Sequence, residues 1–302
     1  RRPITQRGLR RLDLVDGFLA EHVIARLEPQ ADLYAVAPFV RGLEWHRKLP
    51  PRQPGRAPQE EILAHASRAT TLIEISGDQV LVDPSDKETF PEGNPSVIAV
   101  THAHADHAGG LLDAAVKYPQ ASFLLSQSTY DLLHLLPADL SRQIRILFED
   151  RGVLLSASGS PVSINDTVYR GYPAGHLLGA TMIDIHRGEA RVLVTGDFSL
   201  RETAGLPGAV WPEAEYDVLI MESSHAWDKA YPTSDSATNR RSLVNACENL
   251  AKAGASRILI IASALGEASE VYYALCEAQM AGLLPRFSLR LAGKAHSVSL
   301  LY

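Results

Sequence analysis

Cysteine is nearly missing. Cys247 and Cys276 are the only two in 302 residues, too few for a disulfide scaffold, so the fold must be held by its core. Both lie in stretches with helical spacing and read as small buried apolar residues. No apolar run approaches the ~18 residues that cross a bilayer, so no membrane span is expected. Behind Arg1-Arg2-Pro3-Ile4 there is no apolar segment, which speaks against a signal peptide and for a reducing, cytoplasmic setting. The absence of an initiating Met leads us to expect that residues precede Arg1.

An excess of one charge is missing too. The 29 Lys+Arg face 35 Asp+Glu for a net charge of −6, so the surface is not basic throughout, although a local cationic strip would be enough for a nucleic acid. Arg1, Arg2, Arg7, Arg10 and Arg11 are read as a solvated tail. With 46% hydrophobic and 21% charged residues, disorder is excluded for the bulk of the chain and a sizeable core can form. The length suggests about two domains at roughly 150 residues each.

Along the chain, Leu14, Phe18, Leu19, Val23 and Leu27 recur at near-helical spacing within 12–48, and the Pro-rich stretch from Pro50 to Pro58 predicts an extended loop. Residues 1–58 are therefore read as an N-terminal extension and linker. From residue 69 short apolar runs predict a hairpin around Ser76-Gly77-Asp78 and strands at 97–100, 122–126, 167–173, 181–186, 190–195 and 217–221, with a helix from Ala108 to Tyr118. From about 235 the rhythm predicts helices at 236–253 and 267–280 alternating with strands at 257–261 and 287–291. The expected class is α/β, with sheets covered by helices.

One segment concentrates chemistry. His102-Ala103-His104-Ala105-Asp106-His107 places four potential metal ligands within six residues, directly after an apolar strand. At a strand end His102 and His104 point the same way, because side chains alternate with period two. The turn that follows can aim Asp106 and His107 at a neighbouring position. Imidazole with carboxylate favours zinc, with manganese or iron as alternatives. Two weaker signals follow other strands: His176 within Gly175-His176-Leu177-Leu178-Gly179-Ala180, and Asp197 within Thr195-Gly196-Asp197-Phe198-Ser199.

These residues together resemble the metallo-β-lactamase fold, and within it the β-CASP nuclease branch that includes ribonuclease J and the cleavage/polyadenylation-type endonucleases. The carrying motifs are Asp83 in Leu81-Val82-Asp83-Pro84, the His-x-His-x-Asp-His run at 102–107, Ala174 to Ala180 around His176, Asp197 in Gly-Asp-Phe-Ser, and Glu222 in Met221-Glu222-Ser223-Ser224. The resemblance covers about 70–302. It implies an αββα sandwich at 59–230, followed at 231–302 by the start of an inserted α/β β-CASP unit. It also implies two Zn2+ ions, one on His102, His104 and His176, the other on Asp106, His107 and Asp197, with Asp197 bridging. Asp83 would orient the ligands, and Glu222 would help set the protonation of the group serving the leaving oxygen. The candidate catalytic residues are thus Asp106, Glu222 and Asp83, in a metal-activated hydrolysis of phosphodiester bonds.

The sequence departs from the branch at Ile261-Ala262-Ser263-Ala264-Leu265-Gly266-Glu267, where Glu267 stands in place of an expected Arg, and the later motifs of the branch have no match. Three functions follow as expectations: a zinc-dependent nuclease acting on RNA in preference to single-stranded DNA; a hydrolase of a small ester, lactone or thioester; or a subunit that is inactive or depends on a homodimer mate or partner chain for the missing motifs. An open cleft between the metal site and the 235–302 unit is the expected geometry of the first.

Overall fold

The computed structural model describes residues 62–203, 205–223 and 237–302, together with the backbone of 32–36, 43–48, 61 and 236. The arginine-rich first residues, the helical spacing from Leu14 to Leu27, the Pro-rich stretch 50–58 and Ser224 lie outside the described residues. The strands are β1 (Asp32–Val36), β2 (Leu43–Lys48), β3 (Glu61–Ser67), β4 (Thr70–Ile75), β5 (Asp78–Val82), β6 (Val97–Ala99), β7 (Ser122–Leu125), β8 (Gly152–Leu154), β9 (Pro161–Ile164), β10 (Thr167–Pro173), β11 (Thr181–Arg187), β12 (Ala190–Val194) and β13 (Val218–Glu222). The helices are α1 (Ala105–Ala108), α2 (Leu111–Lys117), α3 (Gln127–Leu133), α4 (Ala138–Arg151), α5 (Ser236–Lys252), α6 (Glu267–Met280) and α7 (Lys294–Ser299). None is long and apolar enough to cross a membrane.

Two mixed sheets result, in the orders β1-β13-β12-β11-β10-β9 and β2-β3-β4-β5-β6-β7-β8. Alternation decides how they face. Ile73, Ile75, Val80, Val82, Val97, Ala99 and Leu124 of the seven-stranded sheet share one buried cluster with Ile183, Ile185, Val192, Val194, Val218 and Ile220 of the six-stranded sheet. That cluster is the sandwich filling. Their sequence neighbours Leu72, Leu81, Ile98, Phe123 and Leu125 point outward, into a second cluster with Leu111 and Ala114 of α2, Leu132 and Leu133 of α3 and Ile144 of α4. Each Val, Leu, Ile or Phe among them, buried fully, contributes on the order of 1.5–3 kcal/mol. The hairpin between β4 and β5 turns on Ser76 and Gly77, both at positive φ, the two-residue turn whose twist matches paired strands.

Three expectations need correction. Residues 32–36 and 43–48 are strands, β1 running parallel to β13 and β2 antiparallel to β3, so part of the presumed extension completes both sheets. Leu43-Glu44-Trp45-His46 also alternates with period two, and ladder bonds at a sheet edge outweigh the weak helical spacing. The single helix expected from Ala108 to Tyr118 is broken at Gly109-Gly110, where the Gly110 amide donates to the Pro84 carbonyl at 2.7 Å. No strand forms among residues 236–302. Ile258, Phe287 and Leu289 instead pack partly against Cys247, Leu275, Ala278 and Leu284, between α5 and α6.

Candidate metal centre

The site lies where strand ends of the two sheets meet. β5 and β6 run parallel, so Asp83 and the Thr101-His102 segment leave the seven-stranded sheet at one end. In the other sheet β10, β12 and β13 point the same way, which brings the His176 turn, Gly196-Asp197 and Glu222 to a common end. The Thr181 amide of β11 donates to the Thr101 carbonyl at 2.9 Å and stitches the two ends together.

The ligand candidates converge. His102 Nε2 is 3.1 Å from His104 Nδ1, and His176 Nε2 is 3.2 Å from the same atom. Asp197 Oδ2 stands 3.8 Å from His102 Nε2 and 3.6 Å from His176 Nε2. All four ligand atoms fall within 4.8 Å of one another. Donors ~2.0–2.1 Å from a tetrahedral zinc ion stand about 3.3 Å apart, so the spacing fits a cation among them. The other carboxylate oxygen of Asp197, Oδ1, faces His107 Nε2 at 3.4 Å, and Asp106 Oδ2 lies 3.8 Å from that nitrogen. Asp197 thus presents one oxygen to each half of the cluster. Asp106 is the outlying member, with a side chain 74% exposed.

A buried network fixes the rings. Asp83, itself at positive φ, accepts from the Thr101 amide and the Thr101 hydroxyl, each at 2.7 Å. With its proton given to Asp83, the Thr101 hydroxyl can only accept from His102 Nδ1, 3.0 Å away. That assignment leaves the Nε2 lone pair of His102 bare toward the cluster. His107 Nδ1 donates to Asp83 Oδ2 at 2.8 Å, which likewise turns its Nε2 toward Asp197. One carboxylate therefore orients two rings, the role that partners behind metal ligands play.

Two glycines make the approach tolerable. Gly196 sits at φ +55 with its Cα against Thr101, where an added Cβ would come within 2.4 Å of the hydroxyl oxygen. Gly175 sits at φ +72, and a Cβ there would meet the Ser199 carbonyl at 2.5 Å. At both positions only glycine combines the left-handed backbone with the close contact.

The electrostatics suit a cation. Burial, joined by the neighbouring His107, pushes His102 well below the usual imidazole value. Burial does the same for His104 and His176 against the opposing pull of the nearby carboxylates. Burial also works against charge on His107, but Asp83 and Asp197 outweigh it and raise that ring to about 10. Asp197 is desolvated, yet His107, His102 and His176 hold it ionised well below the usual carboxylate range. Three neutral imidazoles and an ionised carboxylate are a donor set for a divalent ion.

Glu222 closes β13 at the same sheet end, and the Thr195 amide before Asp197 donates to Ile220 at 2.9 Å. Glu222 is not among the four groups that share ligand distances. A cavity of about 460 Å³ opens beside His104 and His176, with Thr203, Gly205 and Leu206 on one side and α6 on the other. Thr101 was not singled out from the sequence. Its position, directly before His102, is the only local signal, because its partners Asp83 and Gly196 are brought by tertiary structure.

A family model described as the metallo-beta-lactamase superfamily matches residues 67–243. The cleavage and polyadenylation specificity factor subunit 3-I of Arabidopsis thaliana is 28% identical over 204 residues, covering 62% of this chain and 29% of that protein. Endoribonuclease YSH1 of Yarrowia lipolytica is also 28% identical over 204 residues, covering 63% and 24%. The transcription termination factor FttA of Thermococcus kodakarensis is 26% identical over 217 residues, covering 64% and 32%. The chain thus spans about a quarter to a third of the length of these curated relatives.

Proposed function

The chain belongs to the metallo-β-lactamase superfamily, and from that premise we propose that it is a metal-dependent hydrolase of phosphodiester bonds in nucleic acid, RNA in preference to single-stranded DNA. The observation that carries this reading is the convergence of His102, His104, His176 and Asp197 within ligating distance of one another. The nucleic-acid substrate is supported by relatives that carry the names of an endoribonuclease and a polyadenylation factor.

Two zinc ions would fit the donors, the first on His102, His104 and His176, the second on Asp106, His107 and Asp197, with Asp197 between them. When bound they supply Lewis acidity and an activated water at neutral pH. The protein's own residues supply orientation. Asp83, through Thr101, holds His102 with its Nδ1 protonated, and holds His107 by a direct bond. Asp106, open to solvent, is the ligand on the side from which a substrate enters. Glu222, at the end of β13, is proposed to set the protonation of the group that serves the leaving oxygen.

The test is incubation of zinc-loaded protein with labelled RNA and DNA strands, with chelator as control. Chelator-sensitive cleavage, faster on RNA, is the expected result. Intact strands in both arms would discard the reading. A second reading, hydrolysis of a small ester, lactone or thioester, is favoured by one observation. Among the described residues lining the cavity beside His104 there are two carboxylates and three tyrosines but no Lys or Arg. Turnover of such esters with no cleavage of nucleic acid would select it.

A further inference from the structure

The cavity beside the metal centre has a chemistry that hydrolysis itself does not use. Tyr272 and Tyr273 of α6 and Tyr302 beyond α7 line it, together with Glu267 and Glu270. A phosphate placed against the α6 wall would meet like charge and, among the described lining residues, no Lys or Arg, and within a few ångströms of a surface carboxylate that repulsion is substantial. An uncharged group with a flat π-face is suited to the same walls, since bases stack on tyrosine whatever their identity. The volume of about 460 Å³ is that of a small-ligand pocket.

The two carboxylates are not equivalent. Glu267 already accepts from the Ser263 amide at 2.9 Å and so serves the start of α6. Glu270 lies one turn further on the same face, three residues before Tyr273. Its half-buried carboxylate makes no side-chain hydrogen bond to a described residue. A carboxylate in that position accepts from an exocyclic amine, as carboxylates do from the N4 amine of cytosine. It repels the carbonyl oxygen that uracil and thymine carry at the corresponding place. Tyr302 is held in the wall by the Leu178 amide, which donates to its hydroxyl oxygen at 3.0 Å, and Leu178 belongs to the turn that carries His176.

We propose that this cavity is a base subsite beside the hydrolytic centre, in which Tyr273 and Tyr302 stack a nucleobase and Glu270 selects one that bears an exocyclic amine. The proposal rests on the nucleic-acid reading above and adds its substrate preference: adenine or cytosine over uracil next to the bond that is cut.

Binding and cleavage are measured separately, so that the two ideas fail separately. Fluorescence anisotropy on the full chain in chelator follows labelled oligo(A), oligo(C) and oligo(U) of about ten nucleotides. Oligo(A) and oligo(C) are expected to bind about tenfold tighter than oligo(U). Glu270→Leu, which keeps similar bulk and removes both acceptor oxygens, is expected to erase that order. Tyr273→Ala, at a side chain 47% exposed, is expected to weaken all three by about tenfold. Equal affinities, no binding, or an order unchanged in Glu270→Leu would overturn the subsite. Base-selective binding without cleavage by the zinc-loaded protein would keep the subsite and remove the hydrolase. Cleavage without base preference would do the reverse.

Discussion

Two apolar runs of four residues meet opposite fates. Val97-Ile98-Ala99-Val100 lies between β5 and β7, and each of its residues is at most 1% exposed. Ile258-Leu259-Ile260-Ile261 has the same β-branched texture, but Leu259 and Ile261 are 86% and 90% exposed and no strand forms there. The first run has a neighbour on each side and a layer on each face. The second has no strand beside it among the described residues, and only Ile258 of the run packs partly on the helical layer. Strand formation is therefore conferred by neighbours, and the preference of the residues themselves is secondary. The same contrast separates the regions chemically: the hydrolytic cluster is held by the sandwich, whereas one wall of the adjoining cavity comes from α6, α7 and the loops beside them.

If that contrast is right, changes in the sandwich should be severe and changes in the exposed run should be slight. The largest effect is expected for His104→Ala, which removes the ring that contacts both His102 and His176. Metal content and hydrolysis should fall to background while circular dichroism stays native. Hydrolysis at a normal rate would show that the assigned centre is wrong. Next comes Asp184→Ala. Asp184 is fully buried on β11 and accepts from Arg191 at 2.9 and 2.5 Å, so its loss strands a guanidinium that is only partly exposed. A destabilisation of about 3–5 kcal/mol in denaturant titration is expected, with metal stoichiometry unchanged.

Asp83→Asn should leave the ligands in place and weaken zinc binding by roughly 10–100-fold, because two rings lose their orienting partner. The proton balance sharpens this. His107, raised to about 10, carries an extra proton near pH 8 in the metal-free protein, and a cation at its Nε2 must expel it. Calorimetry in buffers of different ionisation enthalpy should register about one proton released per metal pair bound, and none would refute the assignment. In metal-free protein the same raised value means stability that is complete below about pH 6.5 and lost as pH climbs through about 10. Thermal melts across that window test it. The smallest effect is expected for Ile261→Ser, within about 0.5 kcal/mol. A loss of several kcal/mol would mean that the exposed run is packed after all.

Much of the ligand geometry was legible in the sequence because it is local. His102 and His104 lie two apart just beyond the end of β6, and the short helix α1 that follows, where a turn was expected, presents Asp106 and His107. The small residues around His176 and Asp197 marked turns. Their convergence with the first motif could be named only through a resemblance, since spacing says nothing about which strand ends meet. Thr101 was invisible for that reason, and so were Tyr302 and Glu270, whose meaning depends on a cavity walled by several separate segments. The strands at 257–261 and 287–291 were misread because a buried strand and an exposed apolar run look alike until their neighbours are known. The edge strands β1 and β2 were missed because a weak helical spacing in the surrounding stretch masked their alternation.

Thr101 touches almost everything that defines the centre. Its amide and hydroxyl reach Asp83, its oxygen receives His102, its carbonyl receives β11 of the opposite sheet, and Gly196 rests on its side chain. A chain with one sheet formed and the other still loose would own every ligand and yet lack a binding site. Cation uptake should consequently lag until the sandwich has shut, making the captured metal a timer for the last step of folding.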